Sequence, residues 1–125
     1  MGYTRYWERT NKPLTEDFVD FCNEVFKTCD KLGIEIHNWD GFGKPTVTTD
    51  IIAFNGDGEN HINHEGFVLN NEVGFDFCKT DRKPYDYAVR TILREALTRG
   101  YITKLSDDGT NEEIISDEDY VSTRY

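Results

Sequence analysis

The chain has 125 residues, a formal net charge of −10, 30% charged and 14% aromatic residues. That length suits one domain with a single core, and the acidity argues against non-specific nucleic-acid binding. No leader-like segment and no apolar run of membrane-spanning length is visible, which predicts a non-membrane protein of a reducing compartment such as the bacterial cytoplasm. The three cysteines, Cys22, Cys29 and Cys78, follow no metal or disulfide spacing; on one helix Cys22 and Cys29 would stand about 10 Å apart, too far to bridge.

Tyr3 to Trp7 alternates aromatic and polar residues and predicts an edge strand or an ordered arm. After Asn11-Lys12-Pro13, Thr15 is placed to cap a helix whose first turn holds Glu16 and Asp17, where the helix dipole favours negative charge. Leu14 and Val19 form a hydrophobic staple, and Phe18, Phe21, Cys22, Val25, Cys29 and Leu32 make one apolar stripe up to Gly33. Ile34, Ile36 and Trp39 then read as a strand, followed by turn chemistry at Asp40–Pro45 and a short extended stretch at Thr46–Thr49. Ile51–Phe54, Gly66–Leu69 and Val73–Cys78 read as further strands, with a polar loop at Gly56–Glu65. Phe75 and Phe77 are assigned to the core face and Asp76 to the other. Lys79–Lys83 is a basic corner, Pro84 opens a second helix with a stripe from Tyr85 to Leu97, and Ile102–Leu105 returns to the sheet. Ser106–Gly109 reads as a turn.

The predicted fold class is α+β: a mainly antiparallel sheet of about four to six strands with two helices packed on one face, two layers in all. Residues 1–106 form the one domain, and 107–125 are an acidic, partly ordered tail. The opposite sheet face would be open to solvent, a partner or a second subunit.

Charge is the main functional signal. Residues 79–104 carry a net +4, whereas the segments on either side are acidic. Lys79, Thr80, Arg82 and Lys83 precede a helix start, whose free N–H groups favour anions. Tyr85 and Trp39 are candidates to stack on a ring, and His64, Glu65 and Asn55 to form a rim. The alternative at the same residues is a solvated corner whose cations neutralise neighbouring acids. His61, His64 and Glu65 lack the helical spacing of a zinc motif, and no motif for a cofactor or a catalytic nucleophile is present.

Tyr3-Thr4-Arg5-Tyr6-Trp7, Trp39-Asp40-Gly41, Phe54-Asn55-Gly56, His64-Glu65-x-Phe67, Phe77-Cys78-Lys79-Thr80 and Arg82-Lys83-Pro84-Tyr85-Asp86 together resemble a family of small uncharacterised bacterial and phage proteins. The resemblance runs to the Ser106–Gly109 turn and carries no activity. It implies a context in which small phage proteins counter host defences. The resulting expectation is a non-enzymatic binder of an anionic small molecule, a nucleotide signal, that sequesters it as a homo-oligomer. Two further readings stand beside it: an acidic inhibitor of a host defence protein, using Asp117-Glu118-Asp119, and a small metal-dependent hydrolase using His64 and Glu65.

Overall fold

The computed structural model describes residues 3–109. Its element order is β1 (Thr4–Arg9), α1 (Glu16–Lys31), β2 (Thr46–Val47), β3 (Ile51–Phe54), β4 (Phe67–Asn70), β5 (Gly74–Lys79), α2 (Asp86–Thr98) and β6 (Ile102–Asp107). The α+β class holds, with two helices packed against six antiparallel strands. The strands form two sheets rather than one, in the orders β5-β1-β6 and β2-β3-β4.

Local chemistry sets the helices. The Thr15 side chain accepts the Phe18 N–H, Glu16 and Asp17 occupy the first turn, and Gly33 follows the helix with φ +76°, a conformation glycine adopts without a Cβ penalty. Phe18, Val19, Cys22, Val25 and Cys29 are buried, while Leu32 at the C-cap is exposed. α2 begins two residues later than Pro84 suggests, because Pro84 and Tyr85 sit in the preceding turn. Its buried face runs through Ala88, Val89, Ile92, Leu93 and Ala96.

Trp7 of one sheet meets Phe67 of the other at 5.5 Å between ring centroids, and Phe67 continues to Phe54 at 5.0 Å. This aromatic line joins the two sheets into one core, with Phe54 reaching Phe26 of α1 at 5.1 Å. No helix among the described residues is long and apolar enough to cross a membrane.

Four local expectations are corrected. β1 is not an edge strand: it lies between β5 and β6. The segment 34–39 is not a strand but a loop, tied to Asn55 by one antiparallel bridge at His37. β6 runs on through Asp107, whose carboxylate meets Arg5, so Ser106 and Asp107 belong to the sheet; Asp117-Glu118-Asp119 lie outside the described residues.

The fourth correction concerns β5. Phe75 and Phe77 are 66% and 50% exposed. The register explains it: Glu8 and Tyr6 lie opposite Phe75 and Phe77, whereas buried Arg5 and Trp7 lie opposite Cys78 and Asp76. A period of two assigns residues to two faces but does not say which is inward. The outer face therefore carries an aromatic strip, with Tyr6 stacked on Phe75 at 6.2 Å and Phe75 against Phe77 at 6.0 Å.

Candidate functional site

The fold takes up Thr80, Tyr85 and Asp86 of the basic corner, while its cations stay at least partly exposed. Thr80 is fully buried and its hydroxyl donates to Asp86 at 2.7 Å. Asp86, the first residue of α2, also takes a two-pronged contact from Arg5, at 2.8 Å from Nε and 2.7 Å from Nη2. The helix start that would attract an anion thus already holds one, supplied by the chain itself. Burial alone would lower the Arg5 proton affinity, but the hydrogen bond and charge of Asp86 outweigh it and raise it. Tyr85 is likewise fully buried, its hydroxyl donating to the Glu65 carbonyl, so it offers no stacking surface. Arg82 is exposed and lies over the Tyr3 ring, 4.0 Å from its centroid. Lys79 and Lys83 are half-buried.

Other predicted residues do come together, around a cleft of about 580 Å³ lined by Trp39, Asp40, Asn55, Asn63, His64, Glu65, Gly66 and Phe77. Asn55 is its foundation rather than a ligand contact. Its Nδ2 donates to the carbonyls of Trp39 (2.9 Å) and His64 (2.8 Å), and its Oδ1 accepts from Gly56 (2.7 Å) and His64 (3.1 Å). Those four bonds use the full capacity of a side-chain amide. The loops close tightly over it: a Cβ on Gly56 would meet the Ile62 carbonyl at 2.4 Å, and one on Gly66 would meet the Trp39 indole at 2.2 Å.

On the same loop system Glu35, His37 and Asp57 converge, with one donor atom from each within 4.8 Å of the others. His37 Nε2 lies 3.2 Å from Glu35 Oε1 and 3.8 Å from Asp57 Oδ1. Ligands at about 2.1 Å from a common ion stand roughly 3.0–3.5 Å from one another, so these separations are close to those of a coordination shell. The tautomer points the same way. His37 Nδ1 is 3.0 Å from the Gly43 carbonyl, which can only accept, so Nδ1 carries a proton. The Nε2 atom then faces two carboxylates, which suits either a second proton there or a shared cation. A ring N–H held by a backbone carbonyl is also the usual support of a metal-ligating histidine.

Asp57 is buried and held in place. It accepts from the Glu59 N–H at 3.0 Å and from the Asn60 side chain. The Asn60 hydrogen bond is the main cause that lowers its pKa below the ordinary carboxylate value, keeping it anionic. Glu35 and His37 also line a cleft of about 220 Å³ with Phe26, Asp30, Ile34, Ile36 and Pro45. A wider depression between α1 and β2, about 1200 Å³, mixes lysines with carboxylates.

His61, His64 and Glu65, the histidine-bearing stretch of the sequence, do not form such a cluster. His64 Nδ1 instead donates to the Lys79 carbonyl at 2.8 Å, and Glu65 accepts the Lys79 N–H at 2.8 Å. The missed signal is Glu35-x-His37, which on an extended segment places both side chains on one side. The partner is Asp57, just past the end of β3, and the His37–Asn55 bridge brings the two segments together.

Comparison of the chain with protein families, with curated proteins and with solved structures returns no match.

Proposed function

We propose that this protein acts through a divalent cation held by Glu35, His37 and Asp57, and that its activity is metal-dependent hydrolysis at the adjoining cleft. The observation that carries the reading is the convergence of three donors with the imidazole proton already fixed on the far nitrogen. A mixed nitrogen and oxygen donor set suits zinc or manganese better than calcium. Three protein ligands would leave room for water, and a metal of this kind, when bound, would lower that water's pKa enough to supply hydroxide near neutral pH. In this chain Asn60 and Gly43 orient the ligands. Phe26, Ile34 and Ile36 give this cleft apolar walls, and Asp30 adds a carboxylate to it. The metal reading thus moves from His64 and Glu65 to a different set of residues.

The test is calorimetry on protein purified without a histidine tag, titrated with zinc and with manganese. One ion per chain is expected, with His37→Ala abolishing uptake and Asn60→Ala weakening it by about 10–100-fold. Metal-loaded and chelated protein would then be assayed on ester and phosphoester substrates. Absence of stoichiometric uptake, or uptake unchanged in His37→Ala, overturns the metal site. Uptake without metal-dependent turnover removes the hydrolase reading alone.

A further inference from the structure

We infer that the cleft between Trp39 and Phe77 is a receptor for a guanidinium group, the side chain of an arginine in an extended segment of a partner protein. The site is separate from the metal ligands, and its chemistry is opposite to the anion site expected from the charge map.

The lining makes the case. Trp39 and Phe77 present large apolar rings that are 56% and 50% exposed, and Phe77 adjoins the exposed Phe75 ring. Of the polar side chains beside them, Asp40 and Glu65 are carboxylates, while Asn63 and the Trp39 indole N–H also supply donors. Asp40 uses one oxygen on the Phe42 N–H at 3.1 Å, and Glu65 uses Oε1 on the Lys79 N–H at 2.8 Å. Among the described residues no hydrogen bond is made to the second oxygen of either. His64 donates from Nδ1 to the Lys79 carbonyl, so in its neutral form Nε2 also accepts. A ligand here must bring donors and positive charge together with a flat face. Guanidinium has all three: five N–H donors, a delocalised charge, and a plane that stacks on indole. An anion would face Asp40 and Glu65.

One observation favours a peptide over a free small cation. The apolar surface does not stop at the cleft: Phe77 continues into Phe75 and Tyr6 along the outer sheet face, more surface than one guanidinium covers. The net charge of −10 also complements a basic partner. The cleft is pre-shaped, because the backbone at Gly66 abuts the Trp39 indole and the Asn55 side chain ties the Trp39 and His64 carbonyls.

Trp39 supplies the readout, since the other tryptophan, Trp7, is 1% exposed. The probes are a blocked heptapeptide with a central arginine between valines, its lysine counterpart, and arginine amide. The expected result is saturable quenching of Trp39 by the arginine peptide, with the lysine peptide about tenfold weaker. Asp40→Asn and Glu65→Gln should each weaken the arginine peptide, and Phe75→Ser should weaken the peptide while leaving arginine amide unchanged. Equal binding of lysine and arginine peptides, or no effect of the two carboxylate changes, overturns the guanidinium site. Arginine amide binding as tightly as the peptide overturns the protein-partner assignment, and tighter binding of a nucleotide than of any peptide overturns both.

Discussion

Replacement of Asp86 by alanine tests whether the basic corner is structural. Its carboxylate accepts three short hydrogen bonds, two from Arg5 and one from Thr80, and the Arg5 and Asp86 side chains are only 5% and 4% exposed. Removing one partner of a buried ion pair leaves the other charge uncompensated and typically costs about 3–5 kcal/mol. Arg5 keeps a contact to Asp107 at 3.2 Å, so the expected loss lies at the lower end, about 3 kcal/mol. With a urea m-value of about 1–3 kcal/mol/M, the unfolding midpoint should fall by about 1–3 M. Thr80→Val, which keeps the shape and removes one bond to a charged group, should cost about 1.5–3 kcal/mol. The double change Arg5→Met with Asp86→Leu should recover most of the loss, since the remaining partner no longer carries an unpaired charge. Urea titrations followed by far-ultraviolet circular dichroism measure all four proteins. A loss below about 1 kcal/mol in Asp86→Ala, or a double variant no more stable than Asp86→Ala, would refute the reasoning.

Three other outcomes follow from the same structure. Burial raises the thiol pKa of Cys22 to about 12 and of Cys29 to about 11, and it raises that of Cys78 as well. A disulfide reagent near pH 8 should therefore label none of the three in the native protein and all of them in denaturant; rapid native labelling would contradict the packing. Gly66→Ala places a methyl against both the Trp39 indole and its carbonyl at 2.6 Å, so a loss of about 1–3 kcal/mol with shifted Trp39 emission is expected, and an unaltered emission spectrum counts against the closed cleft. Asp57 has a folded pKa below its ordinary value near 3.8, so its stabilising contribution is complete above that value and is lost as pH falls through the lowered one. The stability gap between wild type and Asp57→Asn should then be open at neutral pH and close in acid, as read from urea midpoints across that range; a gap that widens on acidification has the wrong sign.

Much of this was legible in the sequence, and the failures have physical causes. Thr15, Leu14, Val19 and Gly33 specify α1 because capping and stapling are local chemistry acting over a few residues. β1 defeats the same approach. Arg5 and Arg9 are both buried on the core side with Trp7, a place a pattern of hydrophobic alternation does not give to arginine. Arg5 is tolerated there because Asp86 arrives from 81 residues away, and Arg9 because its guanidinium donates to the carbonyls of Asn70, Thr10 and Tyr101. The same long-range pairing withdrew Thr80 and the α2 terminus from the surface, which no reading of residues 79–86 alone could reveal. Trp39, His64 and Glu65 do share one cleft, but net charge by segment does not show that Asp40 lines it with them.

Asn55 brings the Glu35, His37 and Asp57 cluster and the cleft into one mechanical unit. Its backbone pairs with His37, N to O at 2.9 Å in both directions, and its side chain holds the carbonyls of Trp39 and His64. Asp57 follows two residues on, in a turn that also contains Gly56 packed against Ile62. The three loops can therefore shift only by breaking bonds from one buried amide, each worth about 0.5–1.5 kcal/mol and costlier still if a polar group is left unmet. Such a node is the physical route by which occupancy of Glu35, His37 and Asp57 would alter the Trp39 cleft. Coupling between two sites is reciprocal in binding free energy, so a cation that tightens the cleft must itself be held more tightly when the cleft is filled.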